Sequence, residues 1–153
     1  MAITASGAFG LSLEKAFLKT IPGSMEAASA MWCALLLDTA TPNFDTHDFF
    51  ADLSGNEVAA GDGYTAGGMA LASFAVTPGS PAAGQIMFDS DNPAWTTSTI
   101  SNGMAALLYW TTGSTATDQL FFLSDFVTAA SSSNGTYTVT VHADGWAYVD
   151  YTP

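Results

Sequence analysis

The segment TYTVTVHAD, residues 136–144, alternates strictly between apolar and polar side chains. A period of two residues is typical of a β-strand that buries one face and exposes the other. The dipeptide Asp144-Gly145 follows directly and is favoured in tight hairpin turns. We therefore expect the next segment, WAYVDYT (residues 146–152), to return as the second strand of a hairpin. The predicted buried face of the first strand carries Tyr137, Val139 and Val141.

Similar short apolar segments occupy most of the chain before this hairpin. Clusters of Gly, Pro, Asn and Ser separate them, and Asn102-Gly103 marks one such break. Roughly seven or eight short strands with regular turn signals predict an antiparallel β-sandwich, jelly-roll-like, in a single domain. The predicted strands lie within residues 31–39, 69–77, 84–91, 95–112 and 118–126 and in the hairpin.

The N-terminal region differs from the rest, because SLEKAFLKTIPGS (residues 12–24) has a helical pattern. Ser12 can cap the helix, Leu13 and Phe17 share one face, and Pro22-Gly23 ends it. We therefore divide the chain into an N-terminal arm or helix, residues 1–24, and a β-sandwich domain, residues 25–153. The arm could pack on its own domain or dock on a partner.

Charge is the most unusual feature of the composition. The 153 residues carry a net charge of −12, and Lys15 and Lys19 are the only basic residues apart from two histidines. Such a chain cannot neutralise phosphates, so we expect neither nucleic-acid binding nor attraction to anionic membranes. No apolar run has transmembrane length, and no basic n-region of a signal peptide precedes the first apolar segment. The single cysteine, Cys33, lies in an apolar run and is predicted to be a buried, inert thiol.

The segment NFDTHDFF, residues 43–50, raises the question of catalysis. His47 could act as a general base oriented by Asp45 or Asp48, as in a small hydrolase. Nucleophilic catalysis also needs an activated Ser or Cys, and the sequence has no nucleophile-elbow motif. We therefore predict no catalytic residues and no enzyme activity.

The same segment has a structural interpretation, which we favour. Asp45 and Thr46 are predicted to start a short helical segment over residues 46–54, and His47 to make a structural hydrogen bond. Phe49 and Phe50 are predicted to be core anchors. The structural motif comprises Asp45, Thr46, His47, Asp48 and Phe49.

Cofactor and metal signals are weak. The glycine-rich segment GDGYTAGGMA, residues 61–70, lacks the lysine of a phosphate-binding loop. Asp89, Asp91 and Asn92 could supply oxygen ligands to calcium, but their segment lacks the Gly and bidentate Glu of an EF-hand. Abundant aromatic residues could bind a glycan by stacking, although burial is their default role. We predict no cofactor and no metal.

Several motifs follow one another along the chain from about residue 31 onward. They are DTHDF (residues 45–49), NEV (56–58), GYTAGG (63–68), WTTSTI (95–100), residues 109–120, Asp125-Phe126 and residues 135–149. The order of these motifs resembles a family of small tailed-bacteriophage virion structural proteins. This sequence departs from the family pattern in TISNGMAAL, where members carry a basic residue, and in DFVTAASSS, where members have glycines.

This resemblance implies a virion component, and we expect a capsid decoration (cement) protein that binds the outer surface of the major capsid protein lattice and stabilises the head. It would be assembled in the host cytoplasm as a homo-oligomer, with a trimer favoured. The alternative is a tail or baseplate structural protein, or one that binds a host glycan. We expect removal of residues 2–24 to abolish capsid binding while leaving a folded domain. The predicted capsid or subunit interface is Phe9, Leu13, Lys15, Phe17 and Lys19.

Overall fold

The computed structural model describes residues 3–18, 24–27 and 30–152. In these ranges the chain is mainly β, with antiparallel sheets and one short helix, so the predicted β-sandwich-like class is confirmed. The elements are β1 (Gly7–Ala8), α1 (Gly10–Phe17), β2 (Met31–Leu37), 3-10 turns at Phe50–Asp52 and Ser54–Asn56, β3 (Met69–Ala70), β4 (Ala75–Pro78), β5 (Gln85–Asp89), β6 (Ala94–Ser98), β7 (Gly103–Trp110), β8 (Gln119–Ala130), β9 (Gly135–Thr138) and β10 (Ala147–Asp150).

The central sheet has five strands in the order β1-β8-β7-β2-β3. Every residue of β7 is buried, and five of the seven residues of β2 are buried. Both strands are nearly continuous apolar runs, which is the pattern of strands covered on both faces. The central sheet is therefore the middle layer of the molecule.

Two smaller sheets and the N-terminal region cover the two faces of this layer. The three-stranded sheet β10-β5-β4 and the two-stranded sheet β6-β9 contribute aromatic side chains to the core shared with Cys33 and Leu35 of β2. Ala34 and Leu36 point to the other core, which is completed by Phe9 and Phe50. Because neighbouring residues of a strand face opposite ways, one strand serves both cores.

The predicted C-terminal hairpin is wrong in its pairing, although its two strands exist. β9 pairs with β6, whereas β10 pairs with β5. Gly145 explains the divergence, because its φ is +78° and an added Cβ would lie 2.4 Å from the carbonyl oxygen of Phe88. The turn at Gly145 therefore lies against β5, and β10, the strand that follows the turn, pairs with β5.

The predicted N-terminal helix exists, but its start is earlier than expected. It begins at Gly10, with Phe9 as the N-cap residue, and Ser12 is buried inside it instead of capping it. β1 pairs with β8, so the described part of the N-terminal region is built into the central sheet. The helix ends at Phe17, with Leu18 as its C-cap residue, which is earlier than the predicted stop at Pro22-Gly23; those two residues lie outside the described ranges. No helix in the described ranges combines the length and apolarity needed to cross a membrane.

Candidate functional site

Two of the five predicted interface residues, Phe9 and Leu13, pack against the protein's own core. Phe9 is fully buried and its ring centre lies 5.1 Å from that of Phe44. Leu13 is half-buried and packs against the core. A side chain without exposed surface cannot meet a partner, so the prediction that Phe9 lies at an interface is wrong. The Phe9 ring is part of the core of the domain itself.

Lys15 is held by the segment that contains the DTHDF motif. Its Nζ forms an ion pair with Oδ2 of Asp48 and lies 4.6 Å from the ring centre of Phe49. The side chains of Lys15 and Asp48 are 31% and 16% exposed, so water screens the pair only in part. These contacts fasten helix α1 to the β body.

The exposed apolar surface of this region lies at the end of α1. Phe17 is 81% exposed, and Leu18, which the sequence analysis did not single out, is 65% exposed. Lys19, the last predicted interface residue, lies outside the described residues. We call Phe17 and Leu18 the helix-end patch.

The predicted helix start at Asp45 and Thr46 is wrong. Asn43 organises this stretch, because its Oδ1 accepts hydrogen bonds from the backbone N–H groups of Asp45 (3.0 Å) and Thr46 (3.2 Å). An Asn side chain that bonds the backbone two residues later forms a turn in place of a helix. The first helical turn begins only at Phe50, and both Asp45 and Thr46 are exposed.

The other residues of the motif have structural positions. The backbone N–H of Asn43 donates to Nδ1 of His47 at 3.3 Å, which is the kind of structural hydrogen bond predicted for this histidine. Phe50 is buried and stacks on Tyr109, with ring centres 4.4 Å apart. Phe49 is only half-buried, so of the two predicted core anchors Phe50 alone is one.

Asp52 caps the turn that begins at Phe50. Its Oδ2 accepts hydrogen bonds from the backbone N–H groups of Asp48 (2.9 Å) and Phe49 (3.0 Å). These bonds favour the ionised form, so they hold the pKa of the Asp52 carboxyl below its usual range, with the backbone of Phe49 as the largest cause.

The NEV and GYTAGG motifs meet at one carboxylate. Oε1 of Glu57 accepts hydrogen bonds from the hydroxyl of Tyr64 and from the backbone N–H of Gly67, both at 2.7 Å. The Tyr64 hydroxyl in turn accepts a hydrogen bond from the backbone N–H of Leu35 in β2, at 2.9 Å. The two motifs therefore form one unit that is attached to the central sheet.

A cleft of about 480 Å³ opens beside this unit. We call it the acidic cleft, because Glu57 and Asp118 both line it. Burial raises the pKa of the Glu57 carboxyl, and the two hydrogen bonds it accepts offset part of this effect. The remaining lining residues are Trp32, Phe50, Ser54, Ala66, Gly67, Tyr109, Thr111, Gly113 and Thr115.

Sequence reasoning missed this cleft because its walls come from distant segments. Trp32 lies in β2, Glu57 follows the second 3-10 turn, and Asp118 precedes β8. Only the position of Glu57 inside a recognisable motif gave a signal.

The possible calcium ligands are engaged elsewhere. Oδ2 of Asp91 accepts a hydrogen bond from the hydroxyl of Ser73, and Oδ1 of Asn92 accepts one from the backbone N–H of Val141. Within the described ranges, His, Cys, Asp and Glu side chains form no group of three or more that could hold a metal ion. Cys33 is fully buried as predicted, and burial raises the pKa of its thiol.

Most of the aromatic rings considered for glycan stacking are inside the protein. Those of Trp95, Tyr109, Trp110, Trp146 and Phe121 are all at most 9% exposed. Tyr148 and Tyr151, at the C-terminal end, are 51% and 56% exposed. Among the rings considered for stacking, these two tyrosines are therefore the ones with a large exposed surface.

Fold and surface together define a small, acidic, mainly β protein with an apolar helix end and one acidic, aromatic-lined cleft. Comparison of the chain with protein-family models, with curated proteins and with solved structures found no match in any of the three.

Proposed function

We propose that this protein is a tailed-phage capsid decoration protein that binds the outer surface of the major capsid protein lattice and carries out no reaction of its own. The motif order described above supports the virion assignment. The observation that carries the docking role is the helix-end patch, where two adjacent large apolar side chains face solvent. Exposed apolar surface of this kind is typical of interaction sites.

The patch is presented on a rigid support. The same helix is fixed to the β body by buried Phe9, by half-buried Leu13 and by the contacts of Lys15 with Asp48 and Phe49. A fixed support lowers the entropy lost on binding. Docking through Phe17 and Leu18 would therefore need little rearrangement of the protein.

The energetics favour many weak contacts over one strong contact. Full burial of a Phe or Leu side chain contributes about 1.5–3 kcal/mol, so a single helix-end patch gives weak attachment. Several linked copies bind far more tightly than one, because each later contact is intramolecular. A homotrimer at symmetric capsid positions supplies this multivalency.

Point substitutions test the proposal better than the deletion of residues 2–24. That deletion would remove Phe9 from the core and β1 from the central sheet, so we now expect it to damage the fold. The test is the double variant Phe17→Ser/Leu18→Ser, and the matched control is Val127→Asn, which removes a side chain that is 79% exposed on β8.

The capsids come from the phage that encodes this protein and are prepared without it. Each of the three proteins is incubated with these capsids, and the mixture is sedimented to measure how much protein is bound. We expect the double variant to lose most of its binding and the control to keep it. Equal binding by all three proteins would contradict docking through the helix-end patch. Binding to isolated tails but not to heads would favour the tail or baseplate alternative.

A further inference from the structure

The acidic cleft has the dimensions and the walls of a small binding site. Its volume of about 480 Å³ lies within the range of sites that bind small ligands. Half-buried Trp32 supplies one aromatic side chain, while Glu57 and Asp118 supply carboxylates. A cleft that combines an aromatic side chain with two carboxylates suits a ligand with a positive charge and an apolar or planar body.

Both carboxylates are held in place before any ligand arrives. Oε1 of Glu57 accepts the bonds from Tyr64 and Gly67, and Oδ1 of Asp118 accepts bonds from the hydroxyls of Thr111 and Thr112, each at 3.2 Å. The backbone N–H of Thr112 also donates to Oδ1 of Asp118. Among the described residues, the hydrogen bonds reach only one oxygen of each carboxylate. The second oxygens remain as acceptors for a ligand.

The two carboxylates line the same cleft as Tyr109. Burial is the main cause that raises the pKa of the Tyr109 hydroxyl, and the charges of Asp118 and Glu57 raise it further. The sequence has only two basic residues other than histidine, Lys15 and Lys19, and Lys15 forms an ion pair with Asp48. Asp118 is only 4% exposed, and a buried carboxylate is costly without a cation.

We infer that the acidic cleft binds an arginine side chain presented by a partner protein. A guanidinium group can donate two hydrogen bonds to a carboxylate and stack on an indole ring, and the cleft is lined by both kinds of group. The cation must come from outside, because the chain contains no arginine. The inference does not depend on the decoration role, and its test uses the isolated protein.

The probe is N-acetyl-arginine amide, titrated into the protein and followed by NMR. N-acetyl-glutamine amide and glucose serve as a neutral amide control and a sugar control. We expect saturable shifts of the Trp32 indole N–H and the Thr111 and Thr112 amides, with a Kd on the order of millimolar for one side chain. The glutamine probe and glucose should cause no shifts at these positions.

Two variants with the same change in net charge separate the cleft from the general negative field. Glu57→Gln keeps an acceptor oxygen for Tyr64 and Gly67 but removes one of the two cleft charges, whereas Asp150→Asn removes a charge at an exposed residue of β10. We expect Glu57→Gln to weaken arginine binding at least about fivefold and Asp150→Asn less than about twofold.

Several results would overturn the inference: equal weakening by the two variants, binding of glucose at the same amides, or no binding of the arginine probe. If Glu57→Gln fails to fold, the wild-type protein provides the second measurement. Binding should then weaken as the pH is lowered from neutral to about 4, because the raised pKa of the Glu57 carboxyl lets it take up a proton before ordinary carboxylates do. Binding that is unchanged over this pH range would also contradict the inference.

Discussion

Nζ of Lys15 lies 4.6 Å from the centre of the Phe49 ring and also forms an ion pair with Asp48, the residue that precedes Phe49. One side chain thereby joins helix α1 to the segment that contains the DTHDF motif. The N-terminal helix is thus fixed to the β body, and the apolar side chains at its end, Phe17 and Leu18, are exposed to solvent.

Replacing Lys15 should destabilise the protein. In Lys15→Met the carboxylate of Asp48 loses its cation, and one of its oxygens, Oδ1, is already buried without a hydrogen bond within the described part of the chain. Because the pair is only partly exposed, we expect a loss of about 1–2 kcal/mol in the free energy of unfolding. Urea denaturation measures the loss, and Lys15→Arg, which keeps the charge, should recover most of it. A Met variant as stable as wild type would show that the pair is not stabilising.

Glu57→Gln should raise stability at neutral pH. Burial raises the pKa of Glu57 in the folded protein, so the folded state binds a proton more tightly than the unfolded state. The wild type therefore loses stability as the pH rises through the window from the unfolded pKa to the raised folded pKa. The Gln variant lacks this loss.

Thermal denaturation of both proteins from acidic to neutral pH measures the difference. The advantage of the Gln variant should be present at pH 7 and disappear when Glu57 of the wild type is protonated. A variant that is less stable at every pH would mean that the hydrogen bonds to Tyr64 and Gly67 require the charge.

Asp52→Ala should cost stability with the opposite pH dependence. The variant leaves the backbone N–H groups of Asp48 and Phe49 without their acceptor, and loss of such a cap costs about 0.5–2 kcal/mol. Because the folded pKa of Asp52 is lowered, its contribution is complete above the unfolded pKa and is lost as the pH falls through the folded value. Asp45→Ala is the control, since Asp45 is exposed and takes part in its turn through its backbone N–H. Equal stability of the two variants at pH 7 would contradict the capping role.

Gly68→Ala should prevent normal folding. Gly68 has a φ of +77°, and an added Cβ would lie 1.9 Å from the carbonyl oxygen of Cys33 in β2. We expect a loss of at least ~3 kcal/mol, since both the backbone conformation and the space exclude a side chain. Gly55→Ala is the matched control, because no described atom lies within 4 Å of its added Cβ. Circular dichroism melting of both variants measures the loss, and a Gly68 variant that melts like the control would contradict this role.

The strands could be predicted from the sequence because their signals are local. Residues 31–37 and 103–110 are apolar runs bounded by turn residues, and both are strands. Strand pairing is not local: β10 joins β5 because Gly145 allows the chain to press against Phe88, which no dipeptide pattern records.

The candidate sites were harder to predict for the same reason. Because Phe9 precedes a helix, its sequence context indicated an exposed arm. The pairing of β1 with β8 places Phe9 in the core instead. Likewise, Glu57 and Asp118 line the same cleft although they belong to distant segments of the chain. Tertiary packing decided both outcomes.

Electron microscopy of capsids gives the sharpest test of the proposal that this protein decorates a capsid. Capsids that lack the protein, from a tailed phage whose genome encodes it, are imaged before and after addition of the purified chain. We expect new density at regular symmetric positions on the outer surface of the head, and loss of that density with Phe17→Ser/Leu18→Ser. Heads that remain bare, with the protein bound to tails or to no part of the particle, would contradict this proposal.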